Sequence, residues 1–181
     1  MNVSIVLPAF NEETTIADVV RSISPMGTAV VVDDYSTDGT AACAEKAGAL
    51  VVRHSNNKGY DGAIESGFYQ AAKIGAEAVF TFDADGQHSV AALKVAIDLL
   101  KANESLDLVI GRRPRSARIG EAIYSIYTRW RFGIEDILCG LKGYRISLYH
   151  RHGAFDTNIM IGTELTLASI TRGAQWTAFD V

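Results

Sequence analysis

Between residues 3 and 111 the chain alternates short runs of Val, Ile and Leu with stretches of helical spacing, and this alternation constrains the fold more than any other feature. The apolar runs cover 3–10, 29–34, 49–54, 78–85 and 106–111; the helical stretches cover about 12–24, 38–48, 60–75 and 89–102. Short runs that are apolar on both faces and rich in β-branched residues predict strands of a parallel sheet covered by helices. Ser36-Thr37-Asp38 and Ser89 supply capping chemistry just before the second and fourth helical stretches. Strand and helix alternating every 25 or so residues predict an α/β, doubly wound sheet.

In such sheets ligands bind at the carboxyl ends of the strands, so those ends are the places to look for chemistry. They read Pro8 to Glu12, Asp33-Asp34, His54 to Asn57, Asp83-Ala84-Asp85 and Gly111-Arg112-Arg113. The edge is acidic at its centre and basic on one flank. A net charge of -4 hides this split: residues 1–111 carry -8 and residues 112–181 carry +4. That division suits a chain holding a cation in one part and an anion in the other. The overall acidity, with pI near 5.5, argues against a partner that is nucleic acid.

Asp83 and Asp85 stand two apart as an apolar run ends, which places their carboxylates on one side. Carboxylates that close repel unless a cation lies between them, and magnesium or manganese suits oxygen ligands. Gln87 and His88 follow and offer a further ligand; the alternative is a solvated turn before the next helix. Asp34 is a candidate for hydrogen bonds to a ribose or base, whereas Asp38 and Thr40 read as capping residues. The 56–62 segment, NNKGYDG, is neither GxGxxG nor a Walker loop, so it supports no dehydrogenase or P-loop reading. Arg112, Arg113, Arg115 and Arg118 form a cluster of cations expected to repel one another unless an anion such as phosphate is bound. Ile119, Ile123, Ile126, Tyr127 and Trp130 share one helical stripe with arginines beside it, a pattern of core or of a bilayer interface. Glu135-Asp136 precedes CGLKGYR, read as a short strand or hairpin that delivers a carboxylate as base or orienting group.

In order, VSIVLPAFNEE, VVDDYSTDGT, NNKGYDGA, TFDADGQH, VIGRR and D-x-x-CGLKGYR resemble glycosyltransferase family 2. The spacing is most similar to its polyprenyl-phosphate branch, typified by dolichol-phosphate mannose synthase. The resemblance implies a GT-A fold, a Rossmann-like three-layer arrangement around a mostly parallel sheet. It implies inverting transfer from a nucleoside diphosphate sugar to a lipid phosphate, the alternative acceptor being a saccharide hydroxyl. Carried over by position, Pro8, Phe10, Glu12, Asp34, Asp61, Asp83, Ala84 and Asp85 are expected at the nucleotide. Asp83, Asp85 and Gln87 are expected at a divalent metal, Mg2+ or Mn2+, and Arg113 and Arg118 at phosphate. Asp136, with Asp85, is the expected catalytic carboxylate, and Glu164 falls where the family has an acidic residue on its last helix. A receiver-like regulatory module also places an Asp pair after a strand, but the arginine cluster and the DAD pair do not fit it.

A length of 181 residues, 48% of them hydrophobic, is enough for one catalytic domain over 1–181. Family members continue past the point where this chain reads AFDV, so the resemblance implies a C-terminus that ends early on the acceptor side. Cys43 and Cys139 show neither a disulfide framework nor a zinc set, which points to a reducing, cytoplasmic setting. The N-terminus lacks a basic region, and no apolar run reaches the roughly 18 residues of a spanning helix. Membrane contact, if present, is expected to be peripheral.

Overall fold

The computed structural model describes residues 1–85, 89–113, 128–152 and 163–181. The first four strands are β1 (Val3–Ala9), β2 (Thr28–Asp33), β3 (Leu50–Arg53) and β4 (Ala78–Thr81). Helices α1 (Ile16–Ile23), α2 (Thr40–Lys46) and α3 (Gly59–Lys73) connect them. The chain goes on through α4 (Val90–Ala102), β5 (Leu108–Arg112), β6 (Lys142–Arg145), α5 (Ile146–His152), α6 (Glu164–Thr171) and β7 (Trp176–Asp180). The seven strands lie in the order β3-β2-β1-β4-β6-β5-β7. Neighbours are parallel except that β6 runs antiparallel to both β4 and β5. The expected five strands and four helices of the first 111 residues are all present.

The period-2 alternation of the strands sorts the core into two layers. Ile5, Leu7, Val31 and Phe80 face α1, α2 and α4, packing with Ile16, Val20, Leu93 and Leu100. Val6, Val30, Val32 and Val79 face α3, α5 and α6, packing with Ile64, Phe68, Leu148 and Leu165. Both faces of the sheet are thereby covered, which is why the runs in β1 and β2 are mostly apolar on both faces.

Strand order sets the position of the site. The chain winds outward from β1 to β3 and then returns to place β4 on the other side of β1. That reversal opens a crevice above the carboxyl ends of β1 and β4, the usual ligand position in open α/β sheets. The expected short strand near residue 142 is β6, but it enters between β4 and β5 instead of forming a hairpin. Its residues pair Thr81 with Lys142 on one side and Ile110 with Lys142 on the other. Gly143 makes this insertion possible, because a Cβ there would collide with the Phe80 ring and with Val109.

Gly143→Ala is therefore expected to destabilise the domain by about 1–3 kcal/mol through overpacking. A lowered urea midpoint at unchanged slope would report it.

Candidate active site

A cleft of about 260 Å³ lies above β1, lined by Pro8, Ala9, Phe10, Asp34, Asn57, Gly59, Tyr60 and Ala63. It brings together Pro8, Phe10 and Asp34 of the expected nucleotide set. Glu12 is not in its wall: the Glu12 carboxylate accepts the Thr15 hydroxyl at 2.8 Å and its N–H donates to Thr40 Oγ1 at 2.7 Å, so it organises the start of α1. Asp61 sits half-buried in the first turn of α3, beside the cleft residue Tyr60.

Two residues at the cleft rim have left-handed backbones without being glycine: Asn11 at φ 58° and Tyr35 at φ 71°. Such a conformation is costly for tyrosine and persists only when its surroundings impose it. Here the β1 and β2 loops brace each other. The Asn11 N–H donates to Ser36 Oγ at 2.9 Å, and Asn11 Oδ1 accepts the Thr37 N–H at 2.9 Å. Asp33, fully buried, accepts the Ser36 N–H at 2.9 Å and lies 3.1 Å from Arg53 Nε.

Asp34 does more structural work than its sequence position implied. Its carboxylate accepts the backbone N–H groups of Lys58 and Gly59, both at 2.8 Å, and lies 2.7 Å from His54 Nδ1. His54 Nε2 in turn lies 2.8 Å from Ser66 Oγ. A carboxylate has about four lone-pair positions, and three are spent on holding the β3–α3 loop. Asp34 thus shapes the cleft wall as well as lining it.

Asp83 and Asp85 follow β4, the first half-buried and the second exposed, with Ala84 packed into the core between them. Burial and then the Asp83 charge push the Tyr60 phenol well above its ordinary pKa. The pair offers hard oxygen donors, the chemistry a divalent cation takes. Among the described residues no group of three or more His, Cys, Asp or Glu gathers to hold a metal, so two carboxylates are what this segment contributes. Gln87 and Arg118 lie outside the described residues.

On the other flank, Arg113 grips Asp136 through both guanidinium edges, Nε to Oδ2 at 2.8 Å and a terminal N–H to Oδ1 at 2.9 Å. The Arg113 backbone N–H adds a third bond to Oδ2 at 3.1 Å. Burial raises the Asp136 pKa, but the Arg113 bonds outweigh it and the net shift is downward. Arg112 pairs with Asp180 at 2.7 Å and with Glu135 at 3.0 Å. The expectation of unpaired cations after β5 is corrected for these two: each is matched to acids from the 135–136 loop or β7, and Arg115 lies outside the described residues. Glu164 opens α6 and stands 3.8 Å from His152. The residues that sequence reasoning passed over are His54, Tyr60 and Lys142. The signal for Lys142 was a lysine inside a glycine-rich, otherwise uncharged strand start.

Asp34→Ala leaves two backbone donors and His54 without their partner, and is expected to cost about 2–4 kcal/mol of stability. Hydrogen exchange at the Lys58 and Gly59 amides should rise before any global change.

Comparison with known proteins agrees with this layout. The sequence profile of glycosyl transferase family 2 matches residues 4–163. An undecaprenyl-phosphate mannosyltransferase from Micrococcus luteus is 30% identical over 165 residues, spanning 80% of this chain and 67% of its own. A UDP-N-acetylglucosamine–dolichyl-phosphate N-acetylglucosaminyltransferase from Methanococcus voltae is 28% identical over 162 residues, spanning 79% and 64%. Glucosyl-3-phosphoglycerate synthase from Mycobacterium tuberculosis, solved with Mn2+, UDP and phosphoglyceric acid, matches the fold with a TM-score of 0.78 at 22% identity. That match covers 99% of this chain and 68% of the other. The chain spans about three fifths of the length of the first curated relatives it matches. A family profile running from β1 to the start of α6, over a sheet of this strand order, means that the chain belongs to glycosyl transferase family 2 and has its GT-A fold.

Proposed function

We propose that this chain is the catalytic domain of an inverting glycosyltransferase that moves a sugar from a nucleoside diphosphate sugar to a polyprenyl phosphate. The observation that carries the choice of acceptor is the state of Asp136. Both its oxygens are committed to Arg113 and its pKa is lowered, so it is a poor acceptor of a proton. A sugar hydroxyl requires such a base; a phosphate oxygen, already anionic at neutral pH, does not. The names of the Micrococcus luteus and Methanococcus voltae relatives support the same acceptor class.

In this reading the nucleoside occupies the cleft of Pro8, Phe10 and Tyr60, with Asp34 fixing the loop that closes it. Asp83 and Asp85, with Gln87, hold a divalent cation. When bound there, that cation neutralises the negative charge that grows on the departing diphosphate. The acceptor phosphate oxygen attacks the anomeric carbon in line, forming the new glycosidic bond as the bond to the diphosphate breaks on the opposite face. Asp136 fixes Arg113 where phosphate passes, a positioning role that lowers the cost of alignment.

Asp85→Ala should lower metal-dependent release of nucleoside diphosphate about a hundredfold or more. Asp136→Asn keeps one acceptor for Arg113 and should lose about tenfold, with the pH–rate profile unchanged in shape. A loss of at least about a hundredfold together with disappearance of the acid limb would assign Asp136 as a base and point to a hydroxyl acceptor.

No helix among the described residues is long and apolar enough to cross a membrane. Peripheral contact has a candidate in helical residues 128–132, where Trp130 is 82% exposed and Arg129 and Arg131 flank it in solvent. Trp130 is thus not part of a buried stripe. An indole beside two guanidinium groups suits an anionic bilayer surface, where each arginine contributes on the order of 1 kcal/mol. The double variant Arg129→Gln, Arg131→Gln should pellet with anionic vesicles about tenfold less well, with neutral vesicles as the control.

A further inference from the structure

Lys142 carries a charge at the carboxyl edge of the sheet that no described residue pairs. It opens β6 and is only 4% exposed, and its backbone N–H donates to Thr81 Oγ1 at 3.1 Å. Its ammonium, by contrast, has no hydrogen bond or ion pair with any described residue. Other cations nearby are spent: Arg112 on Asp180 and Glu135, and Arg145, on the same strand, on the carbonyls of Leu106, Leu100 and Asn103.

Its location follows from register. Thr81, the β4 partner of Lys142, is two residues before Asp83, and Ile110, its β5 partner, is three before Arg113. Lys142 therefore stands between the carboxylates assigned to the metal and diphosphate and the Arg113–Asp136 clamp assigned to the acceptor. Burial lowers its pKa to about 8 against the pull of Cys139, Asp136 and Asp83, so the ammonium is charged at neutral pH. A largely buried cation that no described residue pairs is costly until an anion supplies partners. The anion this edge is built to receive, on the transferase reading above, is phosphate.

We propose that Lys142 is a substrate-phosphate ligand, its ammonium taking an oxygen of either the leaving diphosphate or the acceptor phosphate, which stand on opposite sides of the reacting sugar. The contact is a charge-assisted hydrogen bond, of the kind that makes an affinity difference of about tenfold to a hundredfold. It rests on the transferase reading and adds to it a residue that binds phosphate without belonging to the DAD pair or the arginine cluster. The same contact serves the donor diphosphate or the acceptor phosphate, and binding measurements separate the two.

The test compares wild type with Lys142→Met, which keeps a four-atom unbranched stem and removes the charged terminus. Calorimetric titrations with Mn2+ would use uridine, UDP, guanosine and GDP, followed by a short-chain polyprenyl phosphate in the presence of the bound nucleotide. Expected is a loss of at least about tenfold for the nucleoside diphosphate, which assigns the donor, or for the polyprenyl phosphate, which assigns the acceptor. Nucleoside affinity should stay the same, and the ligand-free Tm at pH 7 should hold or rise, because the variant removes a largely buried charge that no described residue pairs. Equal affinity of both proteins for both phosphates would overturn the proposal, as would a lowered Tm with nucleoside and phosphate affinities falling in parallel. Should the methionine variant not fold, Lys142→Gln is read by the same criteria. Failure of the wild type itself to bind any nucleoside diphosphate would instead remove the transferase reading.

Discussion

The insertion of β6 between β4 and β5 is the constraint on which the rest of the catalytic edge depends. Adjacent strands lie about 4.8 Å apart, so one intervening strand separates the ends of β4 and β5 by about 10 Å. Were those strands neighbours, Asp83 and Arg113 would stand close enough to neutralise each other. With β6 between them, an acidic site and a basic site coexist on one rim, separated by roughly the reach of a diphosphate and a sugar. Gly143 permits that pairing by letting Phe80 and Val109 close over the strand, and the same register sets Lys142 in the gap. A packing requirement in the core thereby becomes a spacing requirement in the site.

The charge split of the sequence, -8 before residue 112 and +4 from there on, acquires a different meaning from this geometry. Among the described residues, the arginines that directly follow β5 are matched to acids. Arg112 and Arg113, adjacent in sequence, take Glu135 and Asp136, also adjacent, and Arg112 reaches across to Asp180 on β7. These pairs pin the loop before β6 to the end of β5 and to the edge strand. Exposed pairs such as Arg112–Glu135 contribute little individually, but the bidentate Arg113–Asp136 bond is more buried and geometrically exacting. Its consequence is orientation: it fixes a guanidinium in place and engages both oxygens of the carboxylate.

The first five strands and first four helices were legible because each buried run is continuous and each helix presents a periodic face. β6 was only half legible. KGYR contains two cations and a glycine, and its strand character comes from two flanking partners that lie far away in sequence. β7 and α5 drew no expectation for a related reason: WTAFD and ISLYHRH are short, and their burial is decided by β5 and by α6. Residue type and strand-end position pointed to Pro8, Phe10 and Asp34, which the fold gathers in one cleft, and to Asp83 and Asp136. The roles of Asp34 and Asp136 were not visible, since they depend on where the Lys58–Gly59 amides and the Arg113 guanidinium fold back to meet them.

The rim of the cleft above β1 shows how such distant bonds bear on binding. Phe10 and Tyr35 are both about half exposed, 49% and 51%, on loops that leave adjacent strands. Their neighbour Asn11, and Tyr35 itself, hold left-handed backbones that an isolated loop would abandon. The Asn11–Ser36 and Asn11–Thr37 bonds tie each loop to the other, and Asp34 and Asp33 tie both to β3 and α3. Because the conformational cost is met on folding, a ligand entering the cleft beside Phe10 has little loop to order. Affinity is raised by removing that cost from the binding step, with no additional contact required. The same reasoning explains why buried carboxylates at strand ends serve as braces: at a rim that must stay open to a ligand, side-chain to backbone bonds are the means left for fixing the chain.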